Sequence, residues 1–427
     1  MRGFNMSEFS TFHILKSITR QKMSSVRHHW TNAEDVFLKM YSFTRSKTVK
    51  AMGYYPYYPG IESFNATEVT IDGEKKIMLG SNNYLGLTHH PEVIEAGINA
   101  LKKYGSGVTG SRLLNGNLNI HTELEEKIAR FVGKEKALVF STGYGVNQGV
   151  LSSTLSDSDL LFSDALNHAS IVDGVSKSRC RVVMYKHNDM TDLEQNLTVY
   201  ERYSGKMIVS DGVFSMEGDI VNLPELVRIA KQYNCRTMID EAHSIGIFGK
   251  NGEGLCGHFG VSGEVDLIMG TFSKSLGSIG GFIASEEPVI EYFKHHTRTM
   301  IFTAALPPVN VATVSKALDI LMTDTQRREN VLSNALYMKQ NLGSMGFDIG
   351  NSHTPVIPVI IGDDFKTFRV WKDLMIRGVY TNPIVSPAVP RHRALLRTSY
   401  MATHTKDQLD LCLHAFREVG KKFHLIE

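Results

Sequence analysis

The stretch Val265-Asp266-Leu267-Ile268-Met269-Gly270-Thr271-Phe272-Ser273-Lys274-Ser275 decides the fold class. Its first five residues form a largely apolar run of strand length, as expected of a strand covered by helices on both faces. The polar groups gather at its carboxyl end, where Lys274 is delivered as an amine able to bond an aldehyde as an imine. A lysine after a strand is ordinarily a solvated loop residue, so the neighbouring segments decide its meaning. Upstream, Arg236 to Ile239 form a second short strand that runs into Asp240-Glu241-Ala242-His243. An amine, an acid and an imidazole therefore stand at the ends of two strands.

That set of residue types is what pyridoxal 5'-phosphate uses. The lysine holds the aldehyde and later moves protons, a role that needs its pKa lowered by desolvation. A carboxylate beside the pyridine nitrogen keeps the ring an electron sink, and Asp240 is placed for it. His243 can reach the phenolic oxygen. Taken singly, Asp240 could equally cap the following helix, and His243 could be a satisfied core histidine.

An anion site is expected further upstream. Lys136 to Phe140 read as a strand, Ser141-Thr142-Gly143-Tyr144-Gly145 as a tight turn, and Val146 to Leu155 as a helix start. Such a turn aims backbone N–H groups and the positive end of the helix at a phosphate, with Thr271 and Ser273 closing the cup. The glycines could also serve only the turn. In Asp164-Ala165-Leu166-Asn167-His168-Ala169-Ser170, His168 is suited to stack on the cofactor ring and Ser170 to cap the next helix.

With these residues in view, the chain resembles the α-oxoamine synthases, a family of fold-type I pyridoxal phosphate enzymes. The resemblance spans roughly Thr67 to Phe423 and rests on GSNNYLGL, GSGVTGSR, FSTGYG, NHASIVDG, DGVFSMEGD, DEAHSIG, GTFSKSLGSIGGF and LLRTSYMATH. It implies that Lys274 holds the cofactor, Asp240 pairs with the ring nitrogen, His243 with the phenolic oxygen, and His168 stacks. Gly143, Tyr144, Thr271 and Ser273 fall on phosphate or ring positions, and Ser215 lies beside the ring. Asn82 and Arg397 are placed to hold an amino-acid carboxylate, Arg397 having a structural ion pair as its alternative role. Thr303 is assigned to the phosphate of a second subunit, which implies a homodimer.

The motifs sit nearest the serine-using members. Their reaction is the decarboxylative condensation of L-serine with a long-chain acyl-CoA to 3-ketosphinganine, which opens sphingolipid biosynthesis. The stretch DALNHASIVDGV is equally similar to a glycine-using acyltransferase of the 2-amino-3-ketobutyrate ligase type. Ser273 and Ser275 flanking Lys274 depart from that type. A non-catalytic regulatory relative would lack the lysine.

Composition agrees with a cytoplasmic enzyme. A chain of 427 residues with 42% hydrophobic and 21% charged content can bury a large core. A net charge of +2 gives no pervasive basic field for nucleic acid. Cys180, Cys235, Cys256 and Cys412 show no metal or disulfide spacing. No apolar run approaches a membrane span. Gly105-Ser106-Gly107-Val108-Thr109-Gly110 matches a dinucleotide fingerprint but follows a helical stretch, Val93 to Tyr104, instead of a strand.

The expected organisation is an α/β chain in three parts. Residues 1–66 form a basic arm and linker, 67–305 a cofactor-binding domain with a mostly parallel sheet flanked by helices, and 306–427 a smaller α+β domain. In the last part Val356 to Ile361, Gly378 to Val385 and Leu395 to Ala402 read as strands, with helices over Phe365 to Ile376 and Lys406 to Lys422. The arm carries Phe9, Phe12, Leu15 and Ile18 at helical spacing within a basic segment, so it can rest on the inner face of an anionic membrane. A dimer-packing arm or a solvated extension would use the same residues.

Overall fold

The computed structural model describes residues 35–203 and 205–427. They divide into two compact units that meet in sequence at Tyr55 and Pro56. In the first, the described residues form two short helices, Leu38–Tyr41 and Arg45–Ala51, neither of which buries a side chain. The amphipathic helix expected over Phe9 to Ile18 lies outside the described residues.

The second unit opens with an antiparallel hairpin, β1 (Ser63–Asn65), β2 (Glu68–Ile71) and β3 (Glu74–Met78), which turns at Asp72 and Gly73. The central sheet follows: β4 (Lys136–Phe140), β5 (Leu160–Asp164), β6 (Arg181–Tyr185), β7 (Lys206–Asp211), β8 (Arg236–Asp240), β9 (Leu267–Thr271) and β10 (Gly281–Ser285). Their spatial order is β4-β10-β9-β8-β7-β5-β6. Only β10 runs against its neighbours, β9 and β4. β5 through β9 pair in parallel.

Successive side chains of these strands enter different cores, as the two-residue period of a strand requires. Ala137, Val139, Phe162, Ile208, Ile239 and Ile268 join one cluster, and Leu138, Phe140, Leu161, Met207, Met238 and Met269 the other. Helices bury both faces, which is why the strands read as largely apolar runs. In such sheets ligands bind beyond the carboxyl ends of the parallel strands. Asp164, Asp211, Asp240 and Thr271 close β5, β7, β8 and β9 at that edge.

The C-terminal part holds β11 (Val356–Gly362), β12 (Val379–Tyr380), β13 (Asn382–Ile384) and β14 (Ala394–Ser399), with helices Asp364–Ile376 and Lys406–Lys422. The single strand expected over 378–385 is two. β12 runs parallel to β3 in one sheet, and β13 pairs with β14 in another, the chain changing partner at Thr381. β14 stops at Ser399, short of the expected Ala402, because the N–H groups of Tyr400 and Ala402 turn to the carbonyls of Pro355 and Tyr84. The hairpin thus shares a sheet with the C-terminal part, and Leu79 packs in its core beside Trp371 and Phe416. Helix Pro308–Thr323, beyond the expected boundary at 305, packs into the core of the large sheet through Val311, Val314 and Leu318.

Candidate active site

A cavity of about 330 Å³ opens at the carboxyl edge of the large sheet, and Lys274, Asp240, His243, His168, Thr271 and Gly143 line it. β9 delivers Lys274 to this cavity. Its amine makes no hydrogen bond or ion pair among the described residues, and desolvation lowers its pKa to about 8 against the pull of Asp240 and Asp211. A neutral amine is therefore within reach near neutral pH.

β8 ends at Asp240, which is buried. Its Oδ2 accepts from Asn147 Nδ2 at 2.7 Å and its Oδ1 from the Ala242 N–H at 2.9 Å. These two donors fix the orientation of the carboxylate. His243 is buried beside it, and desolvation, together with the positive fields of Lys274 and Arg397, holds its pKa well below the usual value. Its Nδ1 lies 2.8 Å from the Tyr84 hydroxyl. Burial raises the Tyr84 pKa, so the phenol keeps its proton.

His168 caps the helix Ala169–Lys177, its Nδ1 accepting from the Ser170 N–H at 3.2 Å. That bond leaves Nε2 to carry the proton of a neutral ring. The imidazole opens on the cavity, yet surrounding protein desolvates it and lowers its pKa. Its backbone N–H donates to Asp211 Oδ2 at 2.9 Å.

The turn Ser141–Gly145 behaves as the sequence suggests. Helix Gly143–Thr154 starts at the cavity, with the Thr142 hydroxyl accepting from the Gly145 N–H at 2.9 Å. A Cβ on Gly143 would sit 2.7 Å from the Thr271 hydroxyl, so only glycine lets β9 approach this helix end so closely. Thr271 and Ser273 hydroxyls lie 3.0 Å apart beside it. Tyr144 stands at the rim, its hydroxyl donating to Asp173.

Arg397 reaches the site from β14. It is buried, and among the described residues no carboxylate pairs with it. Its Nε donates to the Ser215 carbonyl at 2.6 Å, Nη1 to Ser399 at 2.9 Å and Nη2 to Asn82 Oδ1 at 2.9 Å. Neutral oxygens orient the guanidinium without neutralising it. The ion-pair alternative for Arg397 is not what the structure holds. Thr303 is exposed and does not line the cavity of its own chain.

Three site residues escaped the sequence reading. Asn147 is buried in the helix Gly143–Thr154 and bonds Asp240. Tyr84 links Arg397 to His243. Asp211 closes β7 directly opposite Asp240 in the strand register. Burial and the Asp240 charge raise its pKa well above the usual carboxylate range. Its signal was legible, since an acid ending an apolar strand is the same pattern that singled out Asp240.

These residues fit pyridoxal phosphate: an unpaired lysine of lowered pKa, an acid held by donors, an imidazole on the wall and a helix N-terminus at one end. Residues 74–416 match the family model of class I and II aminotransferases. The serine palmitoyltransferase of Sphingobacterium spiritivorum is 48% identical over 89% of this chain and 95% of its own length. The chain belongs to the α-oxoamine synthase family. The 8-amino-7-oxononanoate synthase of Thermoanaerobacter pseudethanolicus is 43% identical over 88% of this chain and 96% of its own. A variant serine palmitoyltransferase of S. paucimobilis, solved with a bound pyridoxal phosphate–myriocin aldimine, superposes with a TM-score of 0.89 at 37% identity, covering 93% of this chain and 100% of that one.

Proposed function

We propose that this α-oxoamine synthase is a serine palmitoyltransferase, joining L-serine to a long-chain acyl-CoA with loss of carbon dioxide and CoA to give 3-ketosphinganine. The unpaired, desolvated Lys274 amine facing Asp240 across one cavity carries the enzymatic reading. Similarity to serine palmitoyltransferases supports the substrate pair.

Pyridoxal phosphate, when bound, supplies an electron sink for the α-carbon of the amino acid. Lys274 would hold its aldehyde and, once displaced by serine, take the α-proton on Nζ. Asp240 would pair with the pyridine nitrogen, its geometry kept by Asn147 and the Ala242 N–H. Neutral His243 would face the phenolic oxygen. Gly143, Tyr144, Thr271 and Ser273 would bind the phosphate, His168 would stack, and Ser215 would border the ring. Arg397 and Asn82 would hold the serine carboxylate, which supplies the anion that the guanidinium lacks. His168 Nε2 is the proton donor placed to polarise an incoming thioester.

Cofactor capture gives a pH test. Only a neutral amine attacks an aldehyde, and the Lys274 pKa is lowered to about 8 from an ordinary 10.5. The rate of cofactor binding by apo-protein, followed by visible absorbance, is expected to climb with pH and level off above about 8. A climb that continues to 10.5 would show an ordinary lysine.

A homodimer completes this reading, with Thr303 serving the neighbouring site. Exposed Phe302 and Leu114, at 72% and 81%, are suited to a subunit contact. A cytoplasmic setting suits the four free cysteines. No described helix is long and apolar enough to cross a membrane.

Substrate choice is tested by CoA release with serine, glycine and alanine, each against acetyl-CoA and palmitoyl-CoA. A pocket fitted to the serine hydroxyl leaves a polar group unpaired with glycine or alanine, at a cost of about 1–3 kcal/mol, so roughly tenfold discrimination is expected. Each buried CH₂ adds about 0.8 kcal/mol in favour of the long chain. If glycine with acetyl-CoA wins, the serine reading falls and the ligase-type reading replaces it.

A further inference from the structure

At the ends of β5 and β6 lies a charge cluster that the chemistry above does not use. His187 follows β6, with Nδ1 3.0 Å from Asp164 Oδ1 and Nε2 2.9 Å from Asp219 Oδ2. Both ring nitrogens face carboxylate oxygens, so both donate, and the ring is an imidazolium. Burial opposes the charge, but the two carboxylates overcome it and raise the pKa to about 10. Among the described residues no other cation pairs with either acid. Among the described residues the Asp164 carboxylate otherwise accepts only from the Leu166 and Asn188 N–H groups, and Asp219 Oδ1 is buried without a partner. Phe214 meets the His187 ring edge-on, with centroids 4.3 Å apart.

Asp219 ends a tight loop, Phe214 to Asp219, closed by the Phe214 N–H on the Asp219 carbonyl at 3.1 Å. This loop touches the C-terminal part at several points. Its Ser215 carbonyl accepts from Arg397, and Glu217 pairs with Arg393 at 3.0 Å. Gly218, at φ +70°, lies so close to the Val356 carbonyl that a Cβ would sit 2.1 Å from it. The loop therefore has one fixed seat, held on the sheet side by His187.

We propose that His187 is a positioning residue: as a cation between Asp164 and Asp219 it seats the Phe214–Asp219 loop, whose Ser215 carbonyl aims Arg397 at the substrate carboxylate. This rests on the reading of Arg397 as the carboxylate anchor. The test uses holoenzyme variants and separates the two substrates. Gln at 187 is neutral and reaches one carboxylate, so His187→Gln is expected to raise the serine KM about tenfold or more, because a buried acid loses its partner. The palmitoyl-CoA KM and the cofactor absorbance should hold. Adding Asp219→Asn removes the uncompensated acid, so the double variant should recover to within about threefold of wild type, the coupling expected of residues in contact.

An unchanged serine KM in His187→Gln overturns the proposal. So does an equal rise for both substrates, or loss of cofactor absorbance, since either marks a general structural role. If His187→Gln does not fold, Asp219→Asn alone decides: a selective rise in serine KM supports the clamp and no change overturns it. Should wild type prefer glycine or alanine, that amino acid presents the same carboxylate and replaces serine in every measurement. Failure of the serine reading then shows in wild type, and failure of the clamp shows only in the variants.

Discussion

Lys274→Ala is expected to abolish CoA release, with turnover falling by about 10⁴-fold or more, the upper end of what one acid–base group contributes, because the same amine also holds the cofactor. The loss will not be a folding effect. Lys274 makes no hydrogen bond or ion pair among the described residues, and its charge is disfavoured where it sits. Thermal unfolding should stay within a few degrees of wild type, since removing a poorly solvated charge breaks no partner's bond. Borohydride reduction of wild type followed by peptide mapping should place the cofactor on the Lys274 peptide, and the variant should retain none covalently. A label on another lysine, or a variant that turns over normally, would remove Lys274 from the chemistry.

The sequence made Lys274 and Asp240 legible because their strands are buried on both faces. Where a largely apolar run gives way to polar and charged residues the strand ends, and in a parallel sheet strand ends share one edge. The Ser141–Gly145 turn was legible for a related reason, Gly143 being forced by a close approach to Thr271. What stayed hidden depends on contacts between distant segments. Asn147 lies one turn inside its helix, followed directly by Gln148, and nothing in the sequence tells which of the two amides turns inward. The division of residues 378–385 between two sheets depends on which partner each half meets, β3 or β14, and propensity does not encode that choice. His187 is one histidine among 17 and carries no signal of its own in the sequence, since its meaning needs two aspartates 23 and 32 residues away.

Asp240→Asn carries the second large effect. A carboxylate moves a neighbouring pKa by roughly 1–3 units, or about 1.4–4 kcal/mol, so removing its charge from the ring nitrogen is expected to lower turnover by about 10- to 10³-fold. The amide adds a local conflict. Both Asp240 oxygens accept, one from Asn147 and one from the Ala242 N–H. A carboxamide has only one acceptor, so one of these donors meets an NH₂ group, at a cost of about 1–3 kcal/mol of stability. Asp211 should respond in turn. Its pKa is raised by burial and then by the Asp240 charge opposite it in the register. Above the ordinary carboxylate range the folded protein therefore holds a proton that the unfolded chain has released, and stability falls as pH rises towards the raised value. Without the Asp240 charge that proton is held less firmly, so unfolding of Asp240→Asn across the same pH range should show a shallower decline than wild type. Equal turnover of the variant and wild type would strip Asp240 of its role and leave Asp211, one strand away, as the acid that faces the ring.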